Sequence, residues 1–227
     1  MSKKILDYGC GLGGNYKFIG KRGNYYGVDI LPENITYAAK RYPAGIYTVT
    51  PPTRLEFADN FFNEVHAYDV FEHVEDLSAS VGEVNRVLAP GGQLFVVVPA
   101  AVSEKKLQAL RPSYFAEIGH VRIVDPDELS QSLAALGFRE VKRVKVRGVE
   151  ALAYAWLFKH HSTKRMVQHQ TGSPEFSKWL VAAIWLFDTR LFITPLKYLF
   201  FVYWLTLPIG WLVSRWFPKS YYLIFQK

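Results

Sequence analysis

The sequence has a single cysteine, Cys10, among 227 residues, and its first tryptophan is Trp156. One cysteine excludes an internal disulfide framework and predicts a chain that works in a reducing compartment. Acidic residues are scarce in residues 151–227, which hold two of them against nine lysines and arginines. Residues 1–150 hold eighteen of each sign and are neutral overall. The net charge of +7 therefore belongs to the last third, which also contains all six tryptophans.

That basic third also carries two apolar runs, residues 179–187 and 191–213. A helix of nine residues reaches about 14 Å, which is too short for a hydrocarbon core of about 30 Å. The second run is long enough to span, but two prolines, a lysine and a glycine interrupt it. Lysines suit anionic headgroups and indoles suit the interface, so the composition favours a membrane surface over nucleic acid. We therefore expect a cytoplasmic protein whose residues 176–219 contact the inner face of the cell membrane. Alternatively, these residues form an apolar cap that packs on the catalytic domain, or a dimer interface.

Residues 1–147 alternate strand-like and helix-like segments. The run QLFVVVP is continuous and apolar, which is typical of a strand buried on both faces of a parallel sheet. The segment DPDELSQSLAALG has the signals of a complete helix, with an N-cap aspartate, an early proline and a final glycine. Six strands that alternate with helices predict a parallel sheet covered on both faces. In such a sheet a ligand binds beyond the carboxyl ends of the central strands.

Four glycines follow the first strand in the segment ILDYGCGLGG. Gly9, Gly11 and Gly14 also match the dinucleotide fingerprint G-x-G-x-x-G. Asp7 argues against a pyrophosphate at this turn, because its carboxylate would repel phosphate and attract a cationic ligand. Asp29 ends the second strand and is placed to accept hydrogen bonds from the ribose of either nucleotide class. A nicotinamide-dependent oxidoreductase is therefore the weaker interpretation.

Five motifs follow one another along residues 4–147: LDYGCGLG, YGVDI, FADNFFNEVHAYDVFEHVED, VLAPGGQLFVVVP and GHVRIVDPDELSQSLAALGFREV. Together they resemble the motifs of class I S-adenosylmethionine (SAM) methyltransferases of type 11. The first is similar to D/E-x-G-x-G-x-G, and the fourth to L-x-P-G-G-x-L. The resemblance implies a methyltransferase that uses SAM and no metal. It also implies a Rossmann-like α/β fold with a seven-stranded, mostly parallel sheet and helices on both faces.

The resemblance assigns cofactor binding to eight residues: Asp7, Gly9, Gly11, Gly13, Asp29, Ile30, Asp69 and Phe71. In this assignment Asp7 faces the amino-acid end or the sulfonium of SAM, and Asp29 binds the ribose. The glycines let the backbone pass close to the methionine portion of SAM. Asp69 and Phe71 border the reacting methyl group, although Asp69 could instead cap a helix and Phe71 could pack in the core.

The family's adenine-binding acid is missing from this sequence. In related enzymes it follows the third strand, where this chain reads TVTPPTRLEF with no acid before Glu56. We therefore expect either that backbone groups near residues 53–55 hold the adenine or that this edge of the site is altered. The methyl-donor end of the site does not depend on this residue.

Catalysis by alignment alone is possible, because the sulfonium already carries an activated methyl group. An acceptor that reacts through a hydroxyl would also gain from a general base. His120 is our first candidate for that base and His73 the second, while Tyr114 would line the same pocket. The alternative for His120 is a structural histidine that holds its loop in place.

The end of the chain, SYYLIFQK, has strand chemistry and supplies the family's seventh strand, antiparallel to the sixth. The predicted methyltransferase domain is then residues 1–147 and 220–227, with an apolar, basic helical insertion at residues 148–219 between strands six and seven. A membrane-facing insertion suggests O- or C-methylation of a lipid-linked acceptor, such as a quinone precursor, a polyprenyl-linked sugar or a lipid. The alternative to an enzyme is a catalytically inactive SAM-fold protein that serves as a subunit of a membrane complex. Nothing in the sequence indicates an oligomeric state or a nucleic-acid partner.

Overall fold

A computed structural model of the chain describes residues 2–146 and 218–227. These residues form a seven-stranded sheet with the order β3-β2-β1-β4-β5-β7-β6. The strands are β1 Lys4–Tyr8, β2 Asn24–Asp29, β3 Ile46–Val49, β4 Phe62–Tyr68, β5 Leu88–Pro99, β6 Arg139–Val146 and β7 Ser220–Gln226. The helices are α1 Tyr16–Ile19, α2 Pro32–Arg41, α3 Leu77–Val87, α4 Ala101–Leu110, α5 Tyr114–Ile118 and α6 Pro126–Ala135, with short 3₁₀ turns at Gly20–Arg22 and Phe71–His73.

The strands from β3 to β5 are parallel, and β7 is not. Parallel pairing joins β1 to β2 and to β4, β2 to β3, and β4 to β5. At the start of β5 the Gly91 amide donates to the Lys227 carbonyl, and the Lys227 amide donates to the Gly92 carbonyl. This reciprocal pair places the end of β7 beside the start of β5, so β7 runs antiparallel. The predicted fold class, including the seventh strand, is confirmed.

The core lies around β1, β4 and β5, because these strands are covered on both faces. Ile5, Leu6, Val65, Leu94 and Val96 have no exposed surface. Consecutive apolar residues such as Ile5 and Leu6 point to opposite faces of a strand, so their joint burial requires cover on each side. The parallel arrangement brings the carboxyl ends of β1, β2 and β4 to one edge of the sheet.

The described residues divide into two compact units. The first contains residues 2–98, 124–143 and 222–227, and the second contains residues 99–123, 144–146 and 218–221. Helices α4 and α5 belong to the second unit, and the sequence analysis did not predict them. In the first unit, α6 confirms its sequence signals: the Asp125 side chain accepts a hydrogen bond from the Asp127 amide, and Pro126 is its first residue.

The predicted apolar insertion, residues 148–219, lies outside the described residues except for its last two positions. Membrane contact through residues 176–219 therefore stays a prediction, as do the proposed domain boundaries. Among residues 2–146 and 218–227, no helix is both long enough and apolar enough to cross a bilayer.

Candidate functional site

The glycine loop that follows β1 has a left-handed backbone at three positions. Gly9, Gly11 and Gly13 have φ angles of 71°, 51° and 77°. A Cβ at Gly9 would lie 2.5 Å from Val70 Cγ2, so the packing of the loop requires a glycine there. A Cβ at Gly11 would meet no atom within 4 Å. The loop is therefore packed on its Gly9 side and open at Gly11, where a ligand could approach the backbone closely.

Asp29, at the end of β2, ties this loop to the start of α2. Its Oδ2 accepts a hydrogen bond from the Gly11 amide at 2.9 Å. Its Oδ1 accepts from the Leu31 amide at 2.9 Å and from Asn34 Nδ2 at 3.1 Å. The next residue, Ile30, is 60% exposed and offers an apolar surface beside the carboxylate. Both residues lie where the ribose and base of a nucleoside were predicted, and the clamping role of Asp29 was not predicted.

Asp7 is fully buried beneath the loop. Tyr25 donates its hydroxyl to Asp7 Oδ2 at 2.5 Å, and Asn15 Nδ2 donates to Oδ1 at 3.1 Å. Burial raises the pKa of Asp7 to about 6, in spite of these two hydrogen bonds, and the nearby charge of Asp29 adds to the rise. The sequence analysis identified the carboxylate but missed both donors. Asp7 can therefore influence a bound cation through its charge while it also holds the loop.

The loop after β3 is held by side chains of α3 and β1. Tyr8 donates its hydroxyl to the Pro52 carbonyl at 2.6 Å. Glu83 Oε2 accepts from the Leu55 amide at 2.8 Å, and Arg86 Nη2 donates to the Leu55 carbonyl at 2.9 Å. The expectation that backbone groups near residues 53–55 hold adenine is therefore wrong for the Leu55 amide, which already has a partner within the protein.

Arg86 provides a test of how much its hydrogen bonds to this loop stabilise the fold. Its guanidinium also donates to the Phe57 carbonyl, to Asp59 and to Glu83. Arg86→Lys keeps the charge but loses the planar set of donors, so we expect it to cost about 1–3 kcal/mol of stability. Thermal unfolding measures this cost. Arg139→Lys is the matched control, because Arg139 makes one exposed bond, to Gln226. Equal melting temperatures for the two variants would contradict the role of Arg86.

The turn after β4 contains three further predicted residues. Asp69 has a left-handed backbone, with φ 54°, and its amide donates to the Val97 carbonyl. It does not cap α3, whose N-cap is Asp76, so that alternative is excluded. Phe71 is fully buried and packs against the Tyr8 ring, which makes it a core residue here. His73 is exposed at the end of the same turn. The roles of these residues toward SAM or the acceptor stay predictions.

In the second unit, a buried carboxylate brings His120 and Tyr114 together. Glu104 on α4 accepts from the Tyr114 hydroxyl at 3.1 Å, and its other oxygen lies 2.7 Å from His120 Nδ1. The His120 side chain is 8% exposed. A carboxylate at Nδ1 accepts the proton of that nitrogen and fixes the orientation of the imidazole, which leaves Nε2 as the other ring nitrogen. Sequence analysis named the histidine and the tyrosine but missed Glu104, because it did not predict α4.

Comparison with known proteins agrees with this geometry. A family model described as a methyltransferase domain matches residues 6–96, which include the glycine loop, Asp29 and Asp69. Residues 6–96 are therefore similar to a methyltransferase domain. A solved SAM-dependent methyltransferase from Archaeoglobus fulgidus has the same fold, with a TM-score of 0.60 at 16% identity over 100% of this chain and 86% of that one.

Two curated relatives are similar in sequence over part of their length. Demethylmenaquinone methyltransferase from Chlorobaculum parvum is 30% identical over 117 residues, which are 51% of this chain and 48% of the relative. The 2-methyl-6-phytyl-1,4-hydroquinone methyltransferase from Synechocystis is 31% identical over 97 residues, 40% of this chain and 30% of the relative. The aligned region thus spans about half of the first relative and less than a third of the second.

The loop and the two carboxylates fit SAM. The open side of Gly11 allows the ligand to lie against the backbone, and the Asp29 carboxylate can accept from ribose hydroxyls. Asp7 places a carboxyl group beneath the loop where SAM would bring positive charge. The Asp7 carboxylate would repel a pyrophosphate, so this residue disfavours a dinucleotide, whereas Asp29 could serve either nucleotide class.

Proposed function

We propose that this chain methylates a lipophilic small molecule with ring hydroxyls, of the quinol class, using SAM as the donor. The observation that carries the proposal is the open glycine loop between Asp7 and Asp29 within a methyltransferase domain. The two curated relatives support the acceptor class, since their names specify a demethylmenaquinone and a phytyl hydroquinone.

SAM supplies an activated methyl group, so the protein has to bind, orient and manage one proton. In the first unit, the glycine loop and Asp29 hold the donor. Within the second unit, the Glu104 carboxylate lies 2.7 Å from His120 Nδ1 and orients the imidazole, and His120 stays our candidate for a general base. A base of this kind contributes about 10²–10⁴-fold to the rate.

We further propose that the protein works at the inner face of the cell membrane, where such acceptors reside. The proposal rests on the basic, tryptophan-rich composition of residues 151–227. Lysines and arginines would meet anionic headgroups, and the indoles would lie at the interface.

One assay tests both proposals. Purified protein is mixed with SAM carrying a labelled methyl group and with anionic vesicles that contain a demethylated menaquinol, a phytyl hydroquinone or no acceptor. We expect label in the lipid extract only when a hydroquinone is present, and protein in the vesicle pellet. Equal label in the extracts of vesicles with and without a hydroquinone would contradict the acceptor class. No transfer to any lipid extract would favour an inactive SAM-fold subunit, and protein left in the supernatant would contradict membrane contact.

A further inference from the structure

The Asp29 carboxylate is held by three donors from the protein itself. Its Oδ1 accepts from the Leu31 amide at 2.9 Å and from Asn34 Nδ2 at 3.1 Å. Its Oδ2 accepts from the Gly11 amide at 2.9 Å. Within residues 2–146 and 218–227 the structure gives this carboxylate no fourth hydrogen-bond donor. The two oxygens therefore differ in the capacity that they keep for a ligand.

A carboxylate has about four lone-pair sites, two on each oxygen. The donors from Leu31 and Asn34 fill both sites of Oδ1. The Gly11 amide fills one site of Oδ2 and leaves the other open. Asp29 is partly exposed, and a Cβ at Gly11 would meet no atom within 4 Å. A ligand that lies against the glycine loop can therefore reach the open site of Oδ2.

Asn34 reaches this carboxylate because of its place in the first turn of α2. The helix begins at Pro32 after the extended Leu31, so Asn34 is its third residue. Side chains of a helix lean toward its N-terminus, which directs the amide of Asn34 back to the end of β2. An ionised carboxylate only accepts, so the amide nitrogen and not the amide oxygen faces Asp29. Asn34 thus supplies the second donor to Oδ1.

We propose that Asn34 is a specificity-determining residue that limits Asp29 to one ribose hydroxyl of the bound donor. The inference rests on the proposed function, which makes SAM the donor, and adds how its ribose is held. The ribose of SAM presents two neighbouring hydroxyls, and a carboxylate with an open site on each oxygen can accept both. Because Asn34 and Leu31 fill Oδ1, one hydroxyl bonds to Oδ2 and the other gains no bond to this carboxylate.

Calorimetric titration with S-adenosylhomocysteine and with its 2′-deoxy and 3′-deoxy analogues tests this limit without turnover. We expect one analogue to bind the wild-type protein about 10- to 100-fold more weakly than S-adenosylhomocysteine, as the loss of a hydrogen bond to a charged group predicts. The other analogue should bind within about threefold of S-adenosylhomocysteine, because its missing hydroxyl has no site on Asp29.

Asn34→Ala separates this limit from a general role of Asn34 in stability. The variant opens a site on Oδ1, so the second hydroxyl gains an acceptor. Both analogues should then bind about 10- to 100-fold more weakly than S-adenosylhomocysteine, and the ratio of their two affinities should fall to about one. A variant that merely loosens α2 would weaken all three ligands alike and leave this ratio unchanged.

Thr36→Ala is the matched control. Thr36 is exposed on α2, and its hydroxyl donates to the Pro32 carbonyl at 2.8 Å, so the variant removes a bond at the start of the same helix without touching Asp29. It should keep the wild-type ratio.

Two results would overturn the inference while the proposed function stands. One is equal affinity of the wild type for the two analogues, and the other is a wild-type ratio that persists in Asn34→Ala. If the wild type does not bind S-adenosylhomocysteine, the proposed function fails, and the inference fails with it.

Discussion

Alanine at position 11 is expected to weaken the binding of S-adenosylhomocysteine by about 10- to 100-fold while the domain stays folded. The added Cβ would meet no protein atom within 4 Å, so it would not disturb the packing of the domain. The left-handed backbone at Gly11, with φ 51°, costs alanine about 1–2 kcal/mol of stability. The methyl group would occupy the space that the ligand needs, and overpacking of that kind costs about 1–3 kcal/mol of binding.

Calorimetric titration measures this loss, and Gly82→Ala is its control. Gly82 lies within α3, and a Cβ there also meets nothing within 4 Å. That variant should bind like wild type and gain about 0.4–1 kcal/mol of stability, because alanine restricts the unfolded chain. Gly9→Ala is less informative, because its clash with Val70 would affect folding and binding together. Wild-type affinity in Gly11→Ala would show that the ligand does not approach the loop at this point.

Local signals account for much of what the sequence predicted. Asp125 and Pro126 mark the start of α6 through contacts within two residues, so no knowledge of the tertiary structure is needed. The glycine loop is similar, because three left-handed positions in five residues require glycine wherever they occur. The exposed edge of the loop and the acid at the end of β2 could therefore be placed from the sequence alone.

The partners that give the site its electrostatics could not be predicted in the same way. Tyr25 donates to Asp7 from 18 residues away, and Arg86 reaches the Leu55 carbonyl from 31 residues away. Glu104 was missed because α4 has a mixed pattern and its N-cap residue, Ala100, makes no side-chain cap hydrogen bond.

The affinity for S-adenosylhomocysteine is expected to fall as the pH is lowered through about 6, with Asp7 as the cause. Burial raises the pKa of this carboxyl from 3.8 to about 6 in the folded protein. The ammonium group of S-adenosylhomocysteine favours the ionised form of Asp7, so binding below pH 6 must first release the proton. The affinity should then fall by up to about tenfold for each pH unit below that value.

The same shift predicts the effect of Asp7 on folding. The folded protein holds this proton more tightly than the unfolded chain, so the contribution of Asp7 to stability falls as the pH rises from about 4 to about 6.

Calorimetric titrations with S-adenosylhomocysteine at pH 5.5, in two buffers of different ionisation enthalpy, would count the proton released on binding. The Asp7→Asn variant should release no proton on binding, and its affinity for S-adenosylhomocysteine should vary little with pH. Asp59→Asn, at a side chain 70% exposed beside Arg86, should behave like wild type. Constant wild-type affinity from pH 5 to 7.5, without proton release, would mean that the ligand's positive charge does not sense Asp7. The carboxyl would then serve only to hold Tyr25 and Asn15 beneath the loop.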